Sequence, residues 1–183
     1  MHGYDVPPAG LSGGLGLFWK KDLPVEILGS SRYFIVAKVP DETQPWIFVG
    51  VYGEPEQQTR LQCWQFLRTL LHSLELPYLL AGDFNEVTSQ AEHASSRPRS
   101  IAHMQHFREF LLDFGLIDLG YEGYRYTWSN NRIFPYTVKA RLDRADLIDG
   151  AKRNSDMSKL GYVGWNNPSI KYGEQGALVK GGR

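Results

Sequence analysis

The sequence is poor in the features that mark secreted, disulfide-bonded or membrane-embedded proteins. Cys63 is the only cysteine in 183 residues, so no disulfide forms within the chain and a cysteine-based metal site is excluded. Residues 1–8 lack the apolar core of a signal peptide, and no apolar run reaches the roughly 18 to 20 residues that cross a bilayer. We therefore expect a soluble intracellular protein, nuclear or cytoplasmic and not secreted, with no membrane partner.

An excess of charge of either sign is also missing. Twenty Lys and Arg balance twenty Asp and Glu, so overall charge gives no support to nucleic-acid binding, which usually accompanies a basic excess. Residues 150–183 carry six Lys or Arg against two Asp or Glu, a net +4, and residues 1–149 carry the compensating −4. An acidic body suits a site that collects cations, although chance in surface composition explains it equally well.

The pattern of apolar residues predicts a mixture of strands and helices. Alternating β-branched and aromatic residues predict strands at 15–20, 25–28, 33–39, 46–52, 78–81, 125–128 and 138–143, with a hairpin between the third and fourth. Apolar residues at three- and four-residue steps predict helices over 58–74 and 101–114, the second capped by Ser100. The buried stripe of the first helix is predicted to consist of Leu61, Trp64, Leu67, Leu71 and Leu74. Strands that alternate with helices in this way indicate an α+β fold, a mixed α/β layering.

The composition changes near residue 150. Hydrophobic residues make up 42% of the chain, enough for a packed core, and the regular patterns end near Asp146. We therefore predict one domain over residues 1–149 and a basic, poorly ordered tail over residues 150–183. Residues 1–12 are rich in glycine and proline and are predicted to be irregular.

The most informative segment is Gly82-Asp83-Phe84-Asn85, which follows the apolar run at 78–81. It predicts a buried strand that ends in a tight turn. Asp83 and Asn85 are two residues apart, so in an extended segment their side chains face one site together. A carboxylate and an amide in that position can bind a hard cation and a phosphate oxygen, or they can merely cap backbone donors in a turn.

Five further motifs accompany this turn in a fixed order. They are Ser12 to Lys20, Val51-Tyr52-Gly53-Glu54-Pro55, Phe107 to Gly120, Tyr126-Thr127-Trp128-Ser129-Asn130 and Arg141-Leu142-Asp143-Arg144-Ala145. Together with the turn they resemble the endonuclease/exonuclease/phosphatase superfamily, in particular the endonuclease domain of plant non-LTR (LINE-type) retrotransposons. The resemblance covers residues 12 to 146.

This resemblance implies a fold and a chemistry. The fold is the DNase I-like four-layer sandwich, two packed mixed β-sheets flanked by helices, and we expect an incomplete version of it here. The activity is hydrolysis of phosphodiesters, usually with Mg²⁺, and the implied partner is DNA. The oligomeric state is left open.

The resemblance also assigns candidate site residues. Asp83 matches the carboxylate that positions the attacking water and would be a weak Mg²⁺ ligand. Asn85 matches a donor to the phosphate, Tyr52 a hydroxyl beside it, and Asp143 the carboxylate that orients a catalytic histidine. Trp128 and Asn130 match substrate-binding positions, and all four catalytic candidates are expected around one cleft.

Each candidate has a simpler structural explanation. Tyr52 fits an ordinary strand aromatic, Trp128 a core residue, and Asp143 a partner of Arg141 or Arg144. Other charged loop residues are predicted to be solvated. These are Glu86, Glu92, Arg97, Arg99 and Arg132, and the alternative for the three arginines is a contact with phosphates.

Three parts of the family's site have no counterpart in the sequence, and one of them is the asparagine of the family's first strand. Residues 1–12 contain no glutamate to match the metal-binding one, and Ser155-Asp156-Met157 has methionine where the family has histidine. The histidines lie elsewhere, at positions 2, 72, 93, 103 and 106. Because losing one member of a catalytic unit removes orders of magnitude in rate, we predict absent or very low activity. The alternatives are a non-catalytic nucleic-acid-binding module and an inert retrotransposon remnant.

Overall fold

The computed structural model describes residues 1–8 and 14–148, together with the backbone of a strand at 178–181. The helices are α1 (Arg60–His72) and α2 (Ile101–Asp113). The strands are β1 (His2–Val6), β2 (Leu15–Trp19), β3 (Glu26–Ser30), β4 (Phe34–Val39), β5 (Trp46–Tyr52), β6 (Tyr78–Asp83), β7 (His93–Ala94), β8 (Leu116–Asp118), β9 (Trp128–Ser129), β10 (Lys139–Ala140), β11 (Asp143–Ile148) and β12 (Leu178–Gly181).

A six-stranded mixed sheet is the largest element of the fold. Its strand order is β3-β4-β5-β6-β11-β8. The pair β5 and β6 is parallel and the other neighbours are antiparallel. Because parallel neighbours need a long crossover, α1 connects β5 to β6 and covers one face of the sheet. The carboxyl ends of β5 and β6 therefore meet at one edge.

Two smaller antiparallel sheets complete the described part of the chain. One has the order β1-β2-β12 and the other the order β7-β10-β9. Residues 1–12 were predicted to be irregular, and this was wrong for His2–Val6, which pairs with β2 over five residue pairs. The pairing outweighs the weak local signal because Tyr4 and Val6 pack against the core.

The large sheet has a hydrophobic core on each face. Along β5, Phe48 faces the sheet that contains β2, whereas Val49 faces the helices. This alternation places a sheet-on-sheet core on one side and a sheet-on-helix core on the other. The described residues thus form three layers of an α+β fold, which agrees with an incomplete DNase I-like sandwich.

The two helices pack through a cluster of aromatic rings. Trp64 of α1 stacks on Phe107 and Phe110 of α2, with ring centroids 5.0 and 5.3 Å apart. Cys63 lies beside them in the core, and burial raises the pKa of its thiol to about 12. Leu61 was predicted to belong to the buried stripe of α1, but it is 45% exposed because it lies at the margin of that stripe.

Most of the predicted elements are present with small changes in their ends. Ser100 caps α2 by accepting a hydrogen bond from the backbone N–H of His103 at 3.5 Å. The strand predicted to end at Asp143 instead begins there, because the chain turns at Arg141-Leu142 before β11. The predicted hairpin of β4 and β5 is confirmed.

The predicted tail, residues 150–183, lies outside the described residues except for β12, whose backbone pairs with β2. The proposed domain boundary near residue 149 therefore stays a prediction. Within the part of the chain that the structure describes, no helix is long and apolar enough to cross a bilayer.

The aromatic cluster between the helices should dominate the stability of the fold. Replacing Phe107, which is fully buried, by alanine removes a ring from the cluster, and we expect a loss of about 3 to 5 kcal/mol in the free energy of unfolding. Urea denaturation followed by tryptophan fluorescence measures it. Leu112→Ala on the same helix is the control, because Leu112 is 77% exposed and should change stability by less than about 0.5 kcal/mol. Equal effects of the two substitutions would contradict this packing.

Candidate functional site

Three of the predicted site residues lie in a row across adjacent strands. Tyr52 at the end of β5 pairs with Asp83 at the end of β6, and Asp83 pairs with Asp143 at the start of β11. Because paired residues on neighbouring strands lie about 5 Å apart and share a face, the three side chains point the same way. The structure therefore brings together the phenol and both carboxylates that the sequence places far apart.

The shared face of this row is the one that the smaller β2 sheet covers. Tyr52, Ala81 and Ala145 belong to the same hydrophobic cluster, and alternation places Asp83 and Asp143 on that face beyond the last alanines. All three polar side chains are largely buried, with exposures of 4 to 6%. The site is thus a polar rim at the end of the core between the sheets.

Local backbone geometry holds Asp83 and Asn85 at the tip of β6. Gly82 has a φ of 146°, and a Cβ there would lie 2.0 Å from the carbonyl oxygen of Val51, so only glycine fits beside β5. Asn85 has a φ of 52°, a left-handed conformation that asparagine tolerates better than most residues. The turn is therefore encoded by these two residue types.

Asn85 also joins the tips of the two parallel strands. Its backbone N–H donates to Oδ1 of Asp83 at 2.8 Å, and its Nδ2 donates to the carbonyl of Gly53 at 2.8 Å. The backbone N–H of Gly53 in turn donates to the carbonyl of Asp83 at 2.6 Å. The capping role weighed for this turn is thus present, and it fixes the carboxylate and the amide relative to Tyr52.

Thr127 positions the other end of the row. Its Oγ1 accepts hydrogen bonds from the backbone N–H groups of Leu142 and Asp143, at 2.9 and 3.1 Å. These bonds replace ladder bonds at the point where the chain turns into β11, so they fix the start of that strand. The motif from Tyr126 to Asn130 contained this residue, but only Trp128 and Asn130 were identified as site candidates in it.

Glu86 was predicted to be solvated, and this was wrong. Its side chain is fully buried and forms ion pairs with Arg60 at 2.6 Å and with Arg99 at 2.8 Å. Arg99, also predicted to lie in water, keeps only 18% of its side chain exposed. Arg97 and Arg132 are exposed as predicted. Sequence reasoning missed the network because its members lie far apart in the chain.

A second cluster of buried charges lies on the helix side of β11. Arg141 and Arg144 both bind Glu92 and Asp118, and Arg141 forms a two-pronged contact with Asp118 at 2.7 and 2.8 Å. Burial opposes ionisation of Glu92 and Asp118, but the arginines and backbone donors outweigh it and lower the pKa of both carboxyl groups. Glu92 is therefore half-buried and paired, not solvated as predicted.

Asp146 is the least compensated member of this second cluster. Its side chain is fully buried, and its nearest charged contact is the Nε of Arg144 at 3.7 Å. Because burial outweighs the attraction of Arg144, the pKa of Asp146 rises to about 6. The carboxyl group therefore changes its charge close to neutral pH.

Of the two predicted substrate-binding residues, Trp128 begins β9 and Asn130 directly follows that strand. Trp128 is half-buried and packs against a small cluster that includes Met104 and Leu142, which is the core role weighed for it. Asn130 accepts from the backbone N–H of Val138 at 2.9 Å and donates to the carbonyl of Tyr136 at 2.8 Å. Its side chain therefore shapes the loop, and a contact with substrate stays a prediction.

The comparisons with known proteins identify the family. The sequence model of the Endonuclease/Exonuclease/phosphatase family matches residues 1–148. The chain belongs to this family. The family predicted from the six motifs is thereby confirmed, and the match includes the whole row of Tyr52, Asp83 and Asp143.

One of the similar solved structures, with a TM-score above 0.5, shares the fold. The endonuclease domain of TRAS1, a telomere-specific non-LTR retrotransposon, has 17% identity and a TM-score of 0.57, over 91% of this chain and 71% of that domain. A 3′ phosphatase, NExo, from Neisseria in complex with a product DNA hairpin has 21% identity and a TM-score of 0.47, over 70% of this chain and 58% of its own.

A third similar structure is TDP2 from D. rerio in complex with a single-stranded DNA product. It has 23% identity and a TM-score of 0.43, over 69% of this chain and 52% of its own. The chain thus spans only a little over half of NExo and TDP2. No curated protein matches the sequence.

The family is generally metal-dependent, and the donors of this chain fit a Mg²⁺ ion only in part. Asp83 and Asp143 are a cross-strand pair, so two carboxylates face the same space. Mg²⁺ is often bound through one or two carboxylates together with oxygens of the substrate. Among the described residues, however, no three His, Cys, Asp or Glu side chains come together as a metal group. Binding should therefore depend on oxygens that a ligand supplies.

Asp146 should make stability fall as the pH rises. The pKa of Asp146 is about 6 in the folded protein, compared with the ordinary value of 3.8. The contribution of the protonated carboxyl group to the free energy of unfolding is therefore complete below pH 4 and is lost as the pH rises through 6. Asp146→Asn cannot ionise. We expect its stability relative to the unmodified protein to increase by about 3 kcal/mol between pH 4 and pH 7, measured by urea denaturation.

The control for this pH dependence is Asp118→Asn. The pKa of Asp118 is lowered in the folded protein, so its stabilising contribution is present above its unfolded pKa and lost in acid. This variant should therefore be less stable than the unmodified protein at pH 7. A difference between Asp146→Asn and the unmodified protein that does not change with pH would contradict the burial of an ionisable carboxyl group.

Proposed function

We propose that the chain is an endonuclease-like phosphodiesterase domain that binds DNA phosphates at the ends of β5, β6 and β11, with absent or very low hydrolytic activity of its own. One observation carries the proposal. Tyr52, Asp83 and Asp143 stand in register across three strands, with Asn85 held beside them. This is the set of side chains that the family resemblance had assigned to one site.

The chemical groups suit a phosphodiester. The amide of Asn85 has two N–H donors, of which Gly53 takes one, so the second can donate to a phosphate oxygen. The Tyr52 hydroxyl can donate beside it, and the carboxylate of Asp83 can orient a water and accept its proton. Mg²⁺, when bound, supplies positive charge that stabilises the charge developing on the phosphate.

Low activity follows from what this set lacks. A catalytic unit of this kind needs a group that neutralises or protonates the leaving oxygen, and removing one member typically costs orders of magnitude in rate. No described histidine, cysteine or further carboxylate joins Asp83 and Asp143 as a third ligand. The described histidines lie on other elements, at positions 2, 72, 93, 103 and 106. In the sequence, methionine stands in Ser155-Asp156-Met157 where the family has the histidine that this carboxylate would orient.

The second candidate function is nucleic-acid binding without hydrolysis, and the exposed loop between β9 and β10 favours it. Between β9 and β10, Ile133, Phe134 and Tyr136 are 69 to 88% exposed, and Tyr124 nearby is 62% exposed. The Nζ of Lys139 contacts the hydroxyl of Tyr124 at 3.0 Å, so a cation accompanies the rings. Exposed aromatic rings beside cations can stack on bases while the cations meet phosphates. Trp128, at the base of this loop, is the proposed inner contact.

A plasmid-nicking assay with Mg²⁺ tests the catalytic part of the proposal. We expect the protein to nick supercoiled plasmid no faster than Asp83→Ala or than a reaction with EDTA, because two carboxylates and an amide do not complete the catalytic unit. Gel electrophoresis over a time course measures it. Robust nicking that disappears in Asp83→Ala would overturn the expectation of low activity and establish the enzyme.

Fluorescence anisotropy with a labelled DNA duplex tests the binding part. We expect affinity to fall steeply with added salt, and Phe134→Ala to weaken binding by about 1 to 3 kcal/mol if its ring stacks on a base. Phe66→Ala is the matched control, since Phe66 is a 57% exposed phenylalanine on α1. Equal affinities of Phe134→Ala and Phe66→Ala for DNA would show that the loop is not part of the binding interface. If the unmodified protein does not bind DNA at all, the result would favour the inert retrotransposon remnant.

A further inference from the structure

We propose that Glu86 is a positioning residue of the candidate site, which holds the turn of Asp83 and Asn85 against the end of β5. The inference rests on the proposed binding of phosphates at that site. Glu86 does not belong to the row of side chains described above, and its carboxylate points into the protein, where it is fully buried. Its role would be to set the geometry of Asn85 and not to touch the ligand.

Three hydrogen-bond donors satisfy the buried carboxylate of Glu86. Oε2 accepts from Arg60 at 2.6 Å, and Oε1 accepts from Nε of Arg99 at 2.8 Å and from the backbone N–H of Val87 at 3.1 Å. A buried carboxylate is tolerated only when such partners compensate its desolvation. Both arginines are therefore held in place by one carboxylate directly after Asn85.

Arg60 connects Glu86 to the turn that follows β5. Arg60, which is 5% exposed, donates to the carbonyl of Glu54 at 2.7 Å and to that of Pro55 at 2.6 Å. Those carbonyls lie in the turn that follows Tyr52 and Gly53. Glu86 and Arg60 thus form a strut between the turn after β5 and the turn after β6.

Arg99 connects Glu86 to the backbone of Asn85. Arg99 donates from its second nitrogen to the carbonyl of Asn85 at 2.8 Å. Asn85 also donates its backbone N–H to Asp83 and its side-chain N–H to the carbonyl of Gly53, and its φ is 52°, in the left-handed region. Each peptide group around Asn85 is therefore fixed, and the bond at its carbonyl depends on Glu86 through Arg99.

Energetics distinguish this arrangement from simple stabilisation. Buried ion pairs contribute little net stability compared with apolar residues of similar size, because desolvation offsets the attraction. They do, however, demand one arrangement of their partners, since a displaced partner leaves a buried charge uncompensated. The ion pair of Glu86 and Arg60 links the turns that follow β5 and β6. Its main effect is therefore to fix the relative positions of Tyr52, Asp83 and Asn85, and its net contribution to stability is small.

A double-mutant cycle tests the inference. The variants are Glu86→Gln, Asn85→Ala and the double variant, and the probe is a short fluorescein-labelled DNA duplex whose dissociation constant is measured by anisotropy in Mg²⁺ buffer. We expect Glu86→Gln to weaken binding about tenfold, as is typical when a residue supporting a binding group is lost. Because Glu86 acts through Asn85, the double variant should bind no more weakly than Asn85→Ala alone.

The matched control is Glu92→Gln, which alters a carboxylate of the second buried cluster whose side-chain hydrogen bonds go to Thr88, Arg141 and Arg144. It should lower stability comparably and leave the dissociation constant within about twofold of the unmodified protein. If Glu86→Gln does not fold, Arg99→Lys replaces it in the cycle, because this change keeps the charge and removes the bond to the Asn85 carbonyl.

The outcomes separate the inference from the function on which it rests. Additive losses in the cycle, or normal binding by Glu86→Gln beside weakened binding by Asn85→Ala, would overturn the positioning role and leave the proposed site intact. Unchanged binding by Asn85→Ala would overturn the proposed site and the inference with it. A non-additive cycle together with normal binding by Glu92→Gln would establish Glu86 as a positioning residue.

Discussion

The register of three central strands is the constraint on which the candidate site depends. β5 and β6 run parallel, so both end at the same edge, and β11 starts at that edge because it runs antiparallel to β6. Alternation along a strand has a period of two, so a slip of one residue would turn Asp83 or Asp143 toward the helices. Gly82 supports this register, since a side chain there would collide with Val51. The burial of both faces of the sheet, by helices on one side and by β2 on the other, makes any such slip costly.

Charge inside this molecule has a different role from charge on its surface. The chain is neutral overall, yet two groups of acidic and basic side chains are withdrawn from water, one at the turn after β6 and one beside β11. The group around Glu86 links the turns that bear the site, and the group around Asp118 ties β8 and the Arg-Leu-Asp segment to the loop before α2. Neither group adds much net stability, because desolvation offsets attraction. Both instead specify how irregular segments approach the sheet, which backbone pairing alone does not determine.

Membership of the endonuclease/exonuclease/phosphatase family and the observed geometry bear on different levels of function. The family match and the shared fold establish a nuclease-like or phosphodiesterase-like domain. The row of Tyr52, Asp83 and Asp143 supplies hydrogen-bonding and carboxylate groups suited to a phosphate. Binding a phosphate and cleaving it differ in the number of groups required, because cleavage also needs charge neutralisation and a proton for the leaving oxygen. A domain of this family that kept the binding groups and lost one of the others would therefore bind a phosphate without cleaving it efficiently.

The sequence by itself determined the elements and the family. Helical periodicity located α1 and α2, and the Gly-Asp-Phe-Asn turn with the other motifs indicated the family and the candidate site residues, because these signals are local. It failed at His2–Val6, at Leu61 and at Glu86, Glu92 and Arg99, where the outcome depends on partners distant in the chain. Only the tertiary structure decided that Tyr52, Asp83 and Asp143 share one face and that a charged loop residue is buried between two arginines. Strand pairing and desolvation are properties of segments brought together, and no local pattern records them.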